Sequence, residues 1–214
     1  MNALIVFTLA GGLLLDYHWV RHGQAVVSAI VWIVCFGVWF RTEPRGRPAL
    51  LACLVIATAG ECFLSLVWGL YEYRLGNIPL FVPPGHVLLF FLGTQIAARL
   101  PDRSEWWIAA AAFPVVMVFA WNGRDTLGPI LYALFFVCMM ASPSRKLYGT
   151  MFVLSLVLEL YGTWIGNWVW APEVPHLGLT TLNPPVASGA FYCVLDFLVV
   201  VATANFATPR PIRA

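Results

Sequence analysis

Residues 60–91 read GECFLSLVWGLYEYRLGNIPLFVPPGHVLLFF, a stretch apolar enough to sit in a bilayer that nevertheless carries a carboxylate, Glu61, near its start. A carboxylate at mid-bilayer costs about 2.5–3.5 kcal/mol on insertion scales, so a helix that keeps one turns it towards a protein interior. Whether the chain is built to provide such an interior decides its fold class.

The composition answers first. Of 214 residues 61% are hydrophobic and 10% charged, and the mean hydropathy is +0.82. These values exclude an ordinary soluble domain and define a polytopic membrane protein. Apolar runs recur at 3–20, 24–40, 48–70, 85–99, 106–121, 126–142, 147–168 and 187–206, each near the length a helix needs to cross a bilayer. The expected fold is therefore an all-α membrane bundle of eight transmembrane helices in a single domain, 1–214, with a seven-helix count as the alternative.

The charges support the even count, because cytoplasmic loops of membrane proteins collect Lys and Arg. With eight spans, one side holds Arg41, Arg45, Arg47, Arg99, Arg103, Arg145, Lys146, Arg210 and Arg213, and the other only Arg21, Arg74 and Arg124. Both termini are thus expected in the cytoplasm, with the long loops 71–84 and 169–186 outside. The net charge of +2 is a topology signal and implies no nucleic-acid partner. The first apolar run, lacking a basic n-region and a small-residue cleavage site, reads as a retained helix. Cys35, Cys53, Cys62, Cys138 and Cys193 fall inside the expected spans without CxxC spacing and read as small buried side chains.

The opening stretch has an echo at 158–199, LELYGTWIGNWVWAPEVPHLGLTTLNPPVASGAFYCVLDFLV. In each, a glutamate (Glu61 or Glu159) lies deep in a helix and a hydroxyl follows one turn later, Ser65 or Thr163, in reach of the carboxylate. Aromatic clusters come next, Trp68, Tyr71 and Tyr73 or Trp164, Trp168 and Trp170, then a loop closing on Pro83-Pro84 or Pro184-Pro185. Proline suits the first turn of the helix that follows. Eleven residues past the second proline stand Gln95 and Asp196. This pattern predicts two parallel four-helix halves, roughly 1–100 and 101–214, that bring the third, fourth, seventh and eighth helices together.

Of ten acidic residues, Glu43, Glu72, Asp102, Glu105, Asp125 and Glu173 fall in expected loops, whereas Asp16, Glu61, Glu159 and Asp196 lie within spans. Glu61, Glu159 and Asp196 come out near one depth and predict a shared site. A carboxylic acid in an apolar chamber is the general acid that protonation of an alkene or epoxide requires. The faces of Trp and Tyr stabilise the resulting carbocation where water cannot. Trp68, Tyr71, Trp164, Trp168 and Tyr192 are the candidate aromatics, and Asn167, Gln95 and His86 the candidate polar contacts. His18 and His22, spaced by one turn, with His86 and His176 in outer loops, leave a membrane metal site as a rival, although no HExxH pattern is present.

Glu61 followed after six residues by WGLYEYRLGNIPLFVPP resembles the segment of membrane-bound carotenoid biosynthesis hydratases in which a glutamate precedes a Gly-x-Tyr-x-Tyr run, a Leu-Gly pair and a proline-bearing loop. His86 stands where that pattern has an aromatic. The whole-chain plan, with Glu61 early and Asp196 in the last helix, is also similar to the integral-membrane terpene cyclases of meroterpenoid pathways. Both resemblances imply acid-initiated carbocation chemistry on a lipophilic isoprenoid drawn from the bilayer. With the buried acids, they lead to the expectation that Asp196 or Glu61 delivers the proton, that Glu159 holds or retrieves it, and that no metal, nucleotide or redox cofactor is required. A proton-coupled transporter and a non-catalytic subunit of a membrane complex are the other classes the sequence leaves open.

Overall fold

The structure, a computed structural model, describes residues 1–19 and 21–207. Arg210 and Arg213 of the charge pattern lie outside the described residues. Eight α-helices follow in order: α1 (Asn2–His18), α2 (Gly23–Arg41), α3 (Arg47–Glu61), α4 (Val82–Ala97), α5 (Ser104–Trp121), α6 (Gly128–Ala141), α7 (Arg145–Ile165) and α8 (Gly189–Ala207). Each matches one expected apolar run. Four of them, counting α3 together with the turn that prolongs it to Val67, are long and apolar enough to cross a membrane.

Helices α3, α4, α7 and α8 pack in a ring, α3 on α4, α4 on α7, α7 on α8 and α8 on α3. Helices α1 and α2 cover one side and α5 and α6 the other. The outer surface is apolar: Phe7, Phe40, Trp107 and Trp121 are all mostly exposed. A water-soluble protein hides such side chains, whereas a bilayer solvates them.

Two features depart from an all-α reading. Directly after Glu61 the helix widens into a π-turn, Cys62–Val67, in which Trp68 N–H reaches back five residues to the Phe63 carbonyl at 2.8 Å. Beyond it lies a strand, β1 (Tyr71–Tyr73), which pairs antiparallel with β2 (Trp168–Trp170) just past α7. A glycine with positive φ stands two residues before each strand, Gly69 at 73° and Gly166 at 95°. There the chain leaves its helix in a direction that a side-chain-bearing residue rarely adopts.

The ribbon's register places Tyr71 opposite Trp170 and Tyr73 opposite Trp168. Because side chains alternate along a strand, all four aromatic residues turn inward and Glu72 and Val169 turn out. The ribbon is fastened at one end by Asp16 of α1. Arg74, next after β1, donates to the Asp16 carbonyl at 2.8 Å and pairs with its Oδ2 at 3.4 Å. Asn167, next before β2, donates to the same Oδ2 at 3.1 Å and to the Leu13 carbonyl at 3.2 Å.

Some local expectations need correction. Pro83 and Pro84 do open α4, but α8 begins only at Gly189, so Pro184-Pro185 stand ahead of the helix. Glu105 lies in the first turn of α5 and is buried, and Asp125, although in a loop, has no exposed surface. Asp125 accepts Gly128 N–H at 3.0 Å and Val186 N–H at 2.7 Å, which ties the start of α6 to the segment before α8. Cys62 is exposed at the head of the π-turn, unlike the four buried cysteines.

Candidate functional site

Glu61 and Glu159 each stand fourteen residues past the first residue of their helix, Arg47 or Arg145, and both end up buried against the ribbon. Glu61 accepts three hydrogen bonds: Tyr71 Oη and Tyr73 Oη on Oε2 at 2.7 and 2.6 Å, and His86 Nε2 on Oε1 at 2.8 Å. Glu159 also accepts three: Trp168 Nε1 and Trp170 Nε1 on Oε2 at 2.8 and 3.0 Å, and Tyr192 Oη on Oε1 at 2.9 Å. Each acid therefore takes two donors from the strand that follows its own helix and one from the helix after that. Burial of six polar hydrogens among apolar side chains would be costly without such partners.

The donors differ in chemistry. Tyrosine hydroxyls and an imidazole both give and receive protons, so Glu61 sits in a set that can pass one on. An indole N–H only donates, so Glu159 Oε2 must remain an acceptor towards both tryptophans, and a proton on Glu159 has only Oε1 to occupy. His86 and Tyr192 connect the two acids, their rings stacked with centroids 4.8 Å apart and planes at 17°. Tyr71 lies against Trp170 at 4.8 Å, and Trp170 against Phe191 at 5.8 Å.

Both glutamates line a cavity of about 60 Å³ whose remaining wall is largely aliphatic, from Leu9 and Leu13 of α1, Val27 and Val31 of α2, Leu89 of α4 and Leu158 of α7. On the far side of the acids a void of about 10 Å³ is lined by Glu61, Glu159, Ser188, Tyr192 and Leu195. Outside, the ribbon's other face borders a groove of about 460 Å³ that includes Ser65, Glu72 and Asn77.

Of the residues singled out in the sequence, the structure gathers Glu61, Glu159, Tyr71, Trp168, Tyr192 and His86. It leaves others out. Asp196 is buried one helical turn beyond Tyr192 and lines neither cavity. Trp164 is 80% exposed, because five residues after Glu159 carry it about 140° round the helix. Trp68 donates to the Pro175 carbonyl at 3.3 Å and fixes the outer loop. Asn167 serves Asp16, as above, and Gln95 lies more than two turns beyond His86 along α4. Neither hydroxyl reaches its carboxylate: Thr163 Oγ1 donates to the Glu159 backbone carbonyl at 2.7 Å, a common habit of threonine in helices, and Ser65 faces the outer groove.

Two further donors to the glutamates, Tyr73 and Trp170, stand out in the sequence only as members of aromatic clusters. The signal for them was the alternation Tyr-x-Tyr and Trp-x-Trp, which marks one face of a strand. His18, His22 and His176 are exposed, and among the described residues no three His, Cys, Asp or Glu side chains gather as a metal site would require. No protein-family model matches the chain, and no curated protein and no solved structure matches it either.

Proposed function

We propose that the protein is a membrane-embedded isoprenoid cyclase or hydratase that protonates an olefin or epoxide and guides the carbocation so formed. The observation that carries this reading is the pair of buried glutamates, each with a full set of donors, set side by side on an otherwise aliphatic cavity with aromatic faces around them. Such a chamber offers a proton, a fixed anion and a water-poor wall to a hydrocarbon.

Glu61 with His86 is the proton-delivering pair: Glu61 accepts all three of its hydrogen bonds, so the proton delivered is the one His86 Nε2 holds against Oε1, handed on through the carboxyl group. Glu159, pinned by two indoles, faces the developing cation as a counter-charge and takes the proton back through Oε1. Asp196, one of the two proton donors the sequence offers, does not line the cavity, so of the two Glu61 is the donor. Tyr71, Trp168 and Tyr192 line the path of positive charge. The cavity has room for a few water molecules and no more. Only the reacting end of an isoprenoid chain enters it; the rest lies in the bilayer, reached sideways past α1 and α4. In this reading all eight helices span the membrane, the two halves are parallel repeats, and both termini are cytoplasmic.

The test is mass spectrometry of organic extracts from isoprenoid-producing hosts that express wild type or Glu61→Gln at matched protein levels. A product present only with wild type is expected, with unchanged mass for cyclisation or a gain of one water for hydration. Equal product from Glu61→Gln and Glu159→Gln would sink the assignment.

One observation favours a second reading, a proton-coupled carrier. The π-turn interrupts α3 directly beside Glu61, and broken helices at a mid-membrane carboxylate are a feature of carriers. Proton-dependent flux in proteoliposomes, absent in Glu61→Gln, would support it.

A further inference from the structure

The polar groups of α7 and α8 do not stop at the cavity. On α8 and the turn before it, Ser188, Tyr192 and Asp196 recur every four residues and so share one face. On α7, Tyr148, Ser155 and Glu159 lie along the face packed against α8. The two helices are held in register by Cys193 Sγ, which donates to the Tyr148 carbonyl at 3.2 Å, and by Tyr148 against Phe197 at 6.3 Å. Tyr148 and Asp196 therefore stand at one level, about 16 Å along α7 from Glu159 by helical rise.

Three polar atoms on this seam, Ser188 Oγ, Asp196 Oδ2 and Tyr148 Oη, are buried without a hydrogen-bond partner within 3.5 Å, the Ser142 hydroxyl standing just beyond that distance from Tyr148. Asp196 is 3% exposed and Tyr148 not at all. Buried polar atoms find partners in native proteins, and where protein supplies none, ordered water does. Ser188 borders the small void beside Glu159, and Tyr148 lies one turn from the start of α7 at Arg145.

We propose that the α7–α8 seam holds a file of water that carries protons between the Glu159–Tyr192 pair and the Arg145 end of the bundle, with Asp196 as the relay. Water is the ligand, and each transfer conserves charge: Asp196 takes a proton from one water as it gives its own to the next. Tyr192 Oη accepts that proton while its original proton passes to Glu159 Oε1. The other titratable side chains around Asp196 are Cys53 on α3, Cys138 on α6, Tyr148 on α7 and Cys193 on α8 itself. None is a cation that would hold Asp196 as a fixed ion pair. The file would operate whether the cavity serves a cyclase, a hydratase or a carrier.

Infrared difference spectra of the purified protein in nanodiscs test this without any substrate. The Asp196 carboxyl band is identified by its loss in Asp196→Asn, or by its displacement in Asp196→Glu should the asparagine variant not fold. On transfer from H2O to D2O the band is expected to shift within minutes. Tyr148→Phe, which removes one oxygen and leaves the ring, is expected to slow that shift at least tenfold. A band unmoved after a day, an unchanged rate in Tyr148→Phe, or no D2O-sensitive band belonging to Asp196 would each overturn the file. Since no turnover is measured, such a result leaves the enzyme reading standing, and inactivity with rapid exchange does the reverse.

Discussion

His86 and Tyr192 lie face to face, centroids 4.8 Å apart, and each gives its hydrogen bond to a different buried glutamate. The stack makes the two acids one unit with unlike halves. Replacement by glutamine keeps the hydrogen-bond count on both sides. In Glu61→Gln the amide oxygen still accepts from Tyr71 and Tyr73, and in Glu159→Gln it still accepts from both indoles. Both variants should therefore fold with thermal midpoints close to wild type while turnover drops about 10²–10⁴-fold, the range of general acid–base contributions. Parallel unfolding and product assays check this, and a large stability loss in either would mean that the acids serve the fold.

The indole donors depend on a close approach. Any Cβ at Gly162 would collide with the ring of Trp168. Gly162→Ala is therefore expected to push the indole off Glu159 and to reproduce Trp168→Phe, which removes the same donor. Leaving a buried acceptor short of a partner costs about 1–3 kcal/mol, and overpacking has a similar price. If the two variants act through the same bond, the double variant loses much less than the sum of the singles in detergent unfolding.

The sequence displayed the helices clearly because each is a long apolar run, and it displayed Glu61 and Glu159 because a charge inside such a run is conspicuous. The ribbon was not legible. Strands of three residues carry too little alternation to stand out, and the partner of Tyr71 lies in the other half of the chain. Counting from the proline pairs also misaligned the halves, since α4 starts before its prolines and α8 after. That count sets Gln95 against Asp196, whereas the residues that donate to the two glutamates from α4 and α8 are His86 and Tyr192. The π-turn, which redirects every side chain from Cys62 to Val67, has no marker in composition.

Among the described residues Asp16 is the one buried acid paired with an arginine or lysine, and it fastens both strands of the ribbon at once. Breaking a buried pair by removing one member costs about 3–5 kcal/mol; with Arg74 partly exposed the lower end applies. Asp16→Ala and Arg74→Ala are each expected to destabilise by about 3 kcal/mol, and their double variant by less than the sum, with a coupling of about 0.5–3 kcal/mol. Tryptophan fluorescence should change as well, because Trp168 and Trp170 ride on the ribbon. Strict additivity would show that the ribbon is held by its own packing.

The proposed topology makes a sharper demand. In that topology Arg41, Arg45, Arg47, Arg99, Arg103, Arg145 and Lys146 fall on one side of the membrane, against Arg21, Arg74 and Arg124 on the other. Arg74 is turned inward onto Asp16, so its charge does little to orient the chain, and the imbalance is larger than the count suggests. With eight spans the positive end faces the cytoplasm. Single cysteines placed in a background without Cys35, Cys53, Cys62, Cys138 and Cys193 report this on intact cells. Leu75→Cys and Leu177→Cys, both at exposed outer-loop positions, should react with a membrane-impermeant maleimide at once. Arg45→Cys and Asp102→Cys should react only after permeabilisation. The short helices α1, α4 and α6, of 17, 16 and 14 residues, are where the count would fail: if one of them does not cross, loops on its two sides label alike. Labelling of Leu75→Cys and Asp102→Cys together on intact cells would remove α4 as a span and with it the parallel-repeat reading.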